Sequence, residues 1–434
     1  MTVYHAGHAW IGGKVERDVR IDVSGDRITG VRAGAERTGE ILTGLVLPGF
    51  ANAHSHAFHR ALRGRTHGDR GSFWTWRELM YRVAGRLDPD SYFALATAVY
   101  GEMALAGITC VGEFHYLHHG PDGVPYADPN AMGNALIAAA REAGIRITLL
   151  DAVYLTSGVD GKPLEGVQRR FSDGDYDGWY RRFETLRGGD GVRIGAALHS
   201  VRAAPADGMA TFAQRTDGLP VHVHLSEQPA ENEACQAVHG CSPTELLQDR
   251  GVWQPMTTAV HATHLTAGDI EILGDGQYVC LCPTTERDLA DGIGPARALA
   301  DAGAALTLGS DSHAVIDIFE EARGVELDER LATRRRGHFG AGELLTAATA
   351  AGHASLGWPD AGEIAVGRRA DLVAVSLDSV RTAGTDPAGL VFAATAADVT
   401  DVIVDGRRVV TGGRHRSMDV AAALRNSTTE LVLS

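Results

Sequence analysis

Long apolar runs are absent from this 434-residue chain, and no window approaches the roughly 18 uninterrupted apolar residues of a membrane helix. That excludes a helical membrane protein and predicts a soluble one. Missing as well is any basic stretch leading into an apolar one at the start, "MTVYHAGHAWIGGKVERDV", so no secretory signal is expected. Cysteine is scarce. Cys110, Cys235, Cys241, Cys280 and Cys282 are odd in number and share no framework spacing, which predicts reduced thiols in a cytoplasmic setting. The pair in "YVCLCP" reads as small apolar residues of a buried strand. Positive charge is also short: 40 basic residues against 55 acidic ones leave a net charge of −15. Nucleic acid and anionic membrane are therefore excluded as partners. A small anionic substrate would need a local cluster of arginine or histidine. The clearest basic run, "RLATRRRGHFG" at 330–340, reads as a solvated helix end.

What is present has an ordinary globular composition, 44% hydrophobic and 22% charged, with no repeat and no low-complexity linker. Short alternating pieces at the start, "VRIDVSGDRITGVRAG", and near the end, "ADLVAVSL" and "DVIVDGRRVV", read as antiparallel strands. Each set is too short to fold alone. Between them lie eight apolar stretches: "LVLPGFANAH", "ITCVGEFHY", "IRITLLDAVY", "VRIGAALHS", "LPVHVHLSE", "TTAVHATH", "YVCLCP" and "AALTLGSDS". Helical segments such as "SYFALATAVYGEMALAG" and "NALIAAAREAG" separate them, many ending in an alanine-glycine helix stop. Eight strand-helix units in about 300 residues is the arithmetic of a (β/α)8 TIM barrel, whereas a doubly wound sheet would not need eight. The reading is an α/β protein: residues 1–46 form half of a small β-sandwich, 47–358 the barrel, and 359–434 the other half with a tail.

Ionisable residues gather at the predicted C-terminal strand ends. His54 and His56 close the first strand in "NAHSHAFHR", and residues two apart in a strand point to the same side. His224 and Glu227 end the fifth strand, His261 the sixth and Asp311 the eighth. Scattered residues would not collect on one rim, which is where such barrels carry their sites. Three imidazoles and a carboxylate, His54, His56, His224 and Asp311, make a ligand set for one catalytic metal ion with a position left for water. Zn2+ suits it, and iron or another divalent ion would too. Glu227 would stand free of the metal and near that water, with His261 beside it. His222 reads as a core residue beneath the rim and His264 as a loop histidine; Asp311 has a competing reading as a helix N-cap.

With these motifs quoted, the chain resembles the amidohydrolase superfamily from end to end. "LPGFANAHSH" matches the first-strand motif, and "GEIAVGRRADLVAVSLDS" and "VTDVIVDGRRVV" the C-terminal strands. Two-metal members carry a bridging lysine on the fourth strand, and "VRIGAALHSVR" has none, so the resemblance implies the mononuclear deaminase branch. There, "SFWTWRELMYR", "GEFHYLHH", "LHSVRAAP" and "CPTTERDLADG" look like the formimidoylglutamate deiminases of histidine breakdown. Carried over by motif, Arg77, Tyr116, His199 and Arg202 are expected to hold the substrate's carboxylates, for which guanidinium groups are suited by bidentate, charge-assisted bonding. Glu227, His261 and Asp311 would be catalytic. A homodimer is what the family suggests. One departure stands out: the family's "HSHAFQR" has glutamine where this chain has His59. The competing readings are a nucleobase or nucleoside deaminase, which would share every ligand but want stacking aromatics, and a non-catalytic family member, which would have lost ligands.

Overall fold

A computed structural model describes residues 1–67 and 73–433. Ser72, which opens the "SFWTWRELMYR" stretch, lies outside the described residues. The chain begins with four strands, β1 (Thr2–Ile11), β2 (Lys14–Ser24), β3 (Arg27–Arg32) and β4 (Glu40–Pro48). Eight more follow: β5 (Phe50–Ser55), β6 (Ile108–His115), β7 (Arg146–Val153), β8 (Val192–Leu198), β9 (Val221–Leu225), β10 (Thr257–His261), β11 (Tyr278–Leu281) and β12 (Ala305–Leu308). The last four are β13 (Leu372–Val375), β14 (Val399–Val404), β15 (Arg407–Thr411) and β16 (Arg414–His415).

Strands β5 to β12 are ordered by sequence in one sheet, and every neighbouring pair is parallel. Closure comes after β12. The Asp311 N–H donates to the His54 carbonyl at 3.0 Å and the His56 N–H to the Asp311 carbonyl at 3.2 Å. The sheet is thus a (β/α)8 barrel, its strands covered on both faces, and β5, β6 and β7 are buried at every residue. The intervening helices are set by local signals. Asp88 and Ser91 form a capping box ahead of helix Pro89–Leu105, with Pro89 at its first position, and Gly144 ends helix Ala131–Ala143 in the left-handed region at φ 77°. Helix Pro89–Leu105 buries Leu95, Val99 and Met103 completely, each contributing about 1.5–3 kcal/mol.

The two chain ends build one mixed sheet, ordered β16-β15-β14-β13-β4-β1-β2-β3. Its seam is the antiparallel pair β4–β13, where Leu372 faces Pro48 and Val375 faces Leu45. Ile21, Leu42, Val46, Leu372 and Ile403 belong to a core of its own. The stretch "LVLPGFANAH", expected as one barrel strand, is two: β4 lies in the terminal sheet and β5 in the barrel. The break is at Gly49, where a Cβ would stand 2.4 Å from Thr109 Oγ1 and 2.8 Å from Asp371 Cβ. Below the barrel, Arg146 bonds Asp371 and Asp405, and Arg146, Arg193 and Arg369 surround the Trp358 ring at 5.3, 4.3 and 4.9 Å. The basic run is the exposed end of helix Ile318–Thr333, with Arg334, Arg335 and Arg336 in solvent. Among the described residues no helix is long and apolar enough to cross a membrane.

Candidate active site

The C-terminal rim of the barrel brings the expected ligands together. His54 is in β5 and His56 immediately beyond it, heading a short 3-10 turn, Ala57–Leu62. The His56 ring donates from Nδ1 to the Phe114 carbonyl at 3.0 Å, and the His224 ring from Nδ1 to the His199 carbonyl at 2.8 Å. Both rings therefore turn Nε2 inward, the outer hydrogen bond that fixes a metal-ligating histidine. His224 Nε2 lies 3.1 Å from His54 Nε2 and 3.3 Å from His56 Nε2. Asp311 Oδ1 lies 3.3 Å from each of the His54 and His56 Nε2 atoms. Two nitrogens bound to one tetrahedral zinc at about 2.0–2.1 Å would be roughly 3.3–3.4 Å apart, and each of these four contacts is near that spacing. His54, His224 and Asp311 also group with His261, with ligand atoms all within 4.8 Å of one another. Asp311 also belongs to an adjoining group with His56 and His59.

The protonation states fit as well. Burial holds His54, and more strongly His56 and His224, below the ordinary imidazole value, leaving them neutral. Burial alone would raise Asp311, but its hydrogen bond to His54 and the neighbouring imidazoles outweigh that and hold the carboxyl well below its usual range. Neutral imidazoles and an ionised carboxylate are what a divalent cation requires. The backbone is strained where it presents these groups. Ser226, His261, Ala262, Asp311 and His313 have φ of 49°, 69°, 52°, 38° and 58°, in a region L-residues enter at a cost of about 1–3 kcal/mol each.

His261 stands farther out, with Nε2 3.8 Å from Asp311 Oδ2 and 3.9 Å from Glu227 Oε1. Burial opposes its charge, but Glu227, Glu286 and Asp311 outweigh burial and raise it well above the usual value. Burial raises Glu227 too. A pocket of about 60 Å³ opens over this cluster, and Arg77, Tyr116, His199 and Arg202 line it together with Glu227, His261 and Asp311. It shares Arg77, Arg202 and Glu227 with a wider outer cavity of about 490 Å³. Arg77 comes from helix Phe73–Arg86 and bonds the Tyr81 hydroxyl at 2.6 Å, and Arg202 bonds the Tyr154 hydroxyl at 3.3 Å.

His59, where the chain departs from the family pattern, is buried with Nε2 3.0 Å from the Tyr116 hydroxyl. Burial pushes its pKa down to about 3, so it is a neutral ring in the pocket. His222 lies beneath the rim, stacked on His54 at 6.4 Å, and His264 is in a loop bonded to the Asp291 carbonyl. Asp311 is not a helix cap; Asp317 caps the helix that follows. Cys280 and Cys282 pack with Ala53 and Val260. Two carboxylates escaped the sequence reading. Glu231 lines the outer cavity, and Glu286 faces His261 Nδ1 at 3.4 Å. A signal existed for Glu231, four residues after Glu227 on the segment that follows β9, but none for Glu286.

A parallel barrel whose rim holds a metal-ligand cluster beneath a pocket with two guanidinium groups defines a class of metal-dependent barrel hydrolases. The chain belongs to the amidohydrolase family, whose model matches residues 45–409, and it is a hydrolase acting on C–N bonds. It is 39% identical to a formimidoylglutamate deiminase of Pseudomonas aeruginosa over 97% of each chain. It is 30% identical to an 8-oxoguanine deaminase of the same organism, over 88% of this chain and 85% of the relative. A crystal structure of an amidohydrolase from Brucella melitensis superposes with a TM-score of 0.93 at 34% identity, covering 100% of both chains.

Proposed function

We propose that the protein hydrolyses N-formimidoyl-L-glutamate to N-formyl-L-glutamate and ammonia, a step of histidine breakdown. The observation that carries this is that Arg77 and Arg202 line the same pocket as Glu227, His261 and Asp311. A dicarboxylate with a formimidoyl group at the opposite end matches that lining. The deiminase relative, similar along nearly the whole chain, supports the same substrate.

His54, His56, His224 and Asp311 would hold one divalent ion per chain, zinc by its preference for nitrogen and carboxylate donors. Such an ion supplies Lewis acidity, which brings the pKa of water from 15.7 to about 7. Asp311 and His261 orient the attacking water, and Asp311, held ionised, takes its proton. Glu227, whose pKa is raised in the direction an acid needs, protonates the imino nitrogen. A C–O bond forms, the C–N bond breaks, ammonia leaves with the second proton of the water, and the first, held on Asp311, passes to Glu227 and restores the acid. General acid-base help of this kind contributes about 10² to 10⁴-fold. Arg77, Arg202, His199 and Tyr116 bind the carboxylates, and a cation left unpaired there penalises neutral analogues. His59 adds a ring to that side of the pocket through its bond to Tyr116.

The proposal extends to a cytoplasmic homodimer, as in the resembling family, and to the absence of nucleic-acid and membrane partners, which the charge of −15 supports. A specific observation favours a second reading, deamination of a nucleobase. Trp76, Tyr81, Tyr116, Tyr154 and Phe171 all line the pocket, and an 8-oxoguanine deaminase is among the relatives. Against it, two of those phenols are engaged by Arg77 and Arg202. Ammonia release over formimidoylated amino acids and purines separates the two. Turnover confined to N-formimidoyl-L-glutamate is expected; turnover of purines alone would overturn the assignment.

A further inference from the structure

We propose that Glu286 is the positioning residue for His261, fixing which ring nitrogen meets the reacting water. The proposal rests on the reading of His261 given above. Glu286 comes from helix Pro283–Asp288, directly after β11, and its carboxylate is buried. Its Oε1 accepts the Cys282 N–H at 2.9 Å and faces His261 Nδ1 at 3.4 Å. The backbone bond from Asp291 N–H to the Glu286 carbonyl, 2.9 Å, closes the turn that carries it.

His261 needs such a partner. It ends β10 with φ 69°, so its backbone leaves the strand direction where the ring must be aimed. With Nδ1–H bound to Glu286, only Nε2 is left to point between Asp311 Oδ2 at 3.8 Å and Glu227 Oε1 at 3.9 Å. The carboxylate thereby holds the Nδ1 proton and sets the ring's orientation, the role a hydrogen bond to the outer nitrogen of a histidine commonly performs. His261, Cys282 and Glu286 are close enough to be a second metal site. The geometry speaks for a hydrogen-bond cluster instead: Oε1 already accepts a backbone N–H, and burial keeps the Cys282 thiol protonated.

The test compares Glu286→Ala, Glu286→Gln and His261→Ala in the metal-loaded enzyme, reading kcat, KM and metal per chain. A ¹⁵N-histidine NMR spectrum adds the Nδ1 proton of His261, a readout that needs no substrate. Glu286→Ala is expected to lower kcat about 10² to 10³-fold with KM and metal content unchanged, and to abolish the hydrogen-bonded Nδ1 proton. Glu286→Gln, whose amide oxygen can accept both N–H groups, is expected to keep that proton and stay within about tenfold of the parent. Glu286→Ala with the Nδ1 proton intact, or with kcat unchanged while His261→Ala is inactive, overturns the proposal alone. So does loss of metal in Glu286→Ala, or a Gln variant as damaged as the Ala variant. His261→Ala with full turnover overturns the reading of His261, and this proposal with it.

Discussion

Among the described residues, buried histidines come within 4.8 Å of an aspartate at the rim, around Asp311, and behind β7, around Asp151, and the two places differ in what else reaches the carboxylate. At the rim, His54, His224 and Asp311 meet with inward nitrogens and no cation among them. Behind β7, His115, His118 and Asp151 are as close and as buried. There Asp151 is saturated: Trp179 Nε1 donates at 2.8 Å, and two Arg182 nitrogens donate at 2.8 Å each. His118 Nε2 is taken by the Ala152 carbonyl at 2.9 Å, and Arg182 goes on to bond Asp173 and Asn130. A guanidinium occupies the place an ion would take. The lesson is that residue type and proximity do not make a metal site; a carboxylate not already neutralised by a guanidinium does. At the rim the carboxylate faces imidazoles, whereas behind β7 a helix, Tyr176–Phe183, delivers Trp179 and Arg182 to Asp151, although Nδ1 of His115 and of His118 keeps no hydrogen bond.

The largest effect expected from breaking this contrast is on activity. Removing metal with a chelator, or Asp311→Asn, should lower kcat at least 10⁴-fold, about 5.5 kcal/mol at the transition state. His118→Ala should leave turnover and metal content as they are. Metal analysis at saturation checks both, with one ion per chain expected; two ions, or a His118→Ala variant that binds none, would erase the distinction between the clusters.

Next in size is the reverse experiment on stability. Arg182→Ala strips the cation from two carboxylates, Asp151 and Asp173, that are almost wholly out of water. Leaving a buried charge unpaired costs about 3–5 kcal/mol, so urea unfolding should show a loss of that order. Asp311→Ala in the metal-free protein should also cost stability, since the fold favours the ionised carboxyl, but less than Arg182→Ala, because it strips no guanidinium from a buried carboxylate. Equal losses in the two variants would mean that the rim is built for stability after all.

Much of this was legible before the fold was known. The period-2 spacing of His54 and His56, and the placement of His224, Glu227, His261 and Asp311 after apolar runs, follow from local pattern, and local pattern survives folding. The crossing at Gly49 was hidden because the apolar run continues through it; only the approach of Thr109 and Asp371 marks it, and both are distant in sequence. Arg77 and Arg202 became visible through motif likeness alone, since nothing in a helix or a loop says that its arginine reaches a pocket. Glu286 was missed for a related reason. Its role depends on a turn folding a carboxylate back onto the histidine of the neighbouring strand, a juxtaposition with no spacing rule. The same blindness would have passed the Asp151 cluster as a metal site, for the sequence shows the histidines and not the guanidinium that displaces the ion.

Glu113 falls between the two clusters and supplies an effect that is spread over pH and comes from a single group. It lies near the end of β6, fully buried, accepting the Ser55 hydroxyl and the Ala57 N–H at 2.6 Å each. Hydrogen bonds favour its ionised form, but burial outweighs them and pushes its pKa up to about 8. The folded protein therefore keeps a proton that the unfolded chain, with a carboxyl near 4.3, releases. Stability from this group is complete below the unfolded value and is lost as pH rises from there through about 8. The slope for one proton is at most about 1.4 kcal/mol per pH unit. Urea unfolding of the parent between pH 5 and 8 should show that decline, and Glu113→Gln, permanently neutral, should flatten it. An unchanged slope in the variant would mean that Glu113 is ionised in the folded protein and held, like Asp151, by its partners alone.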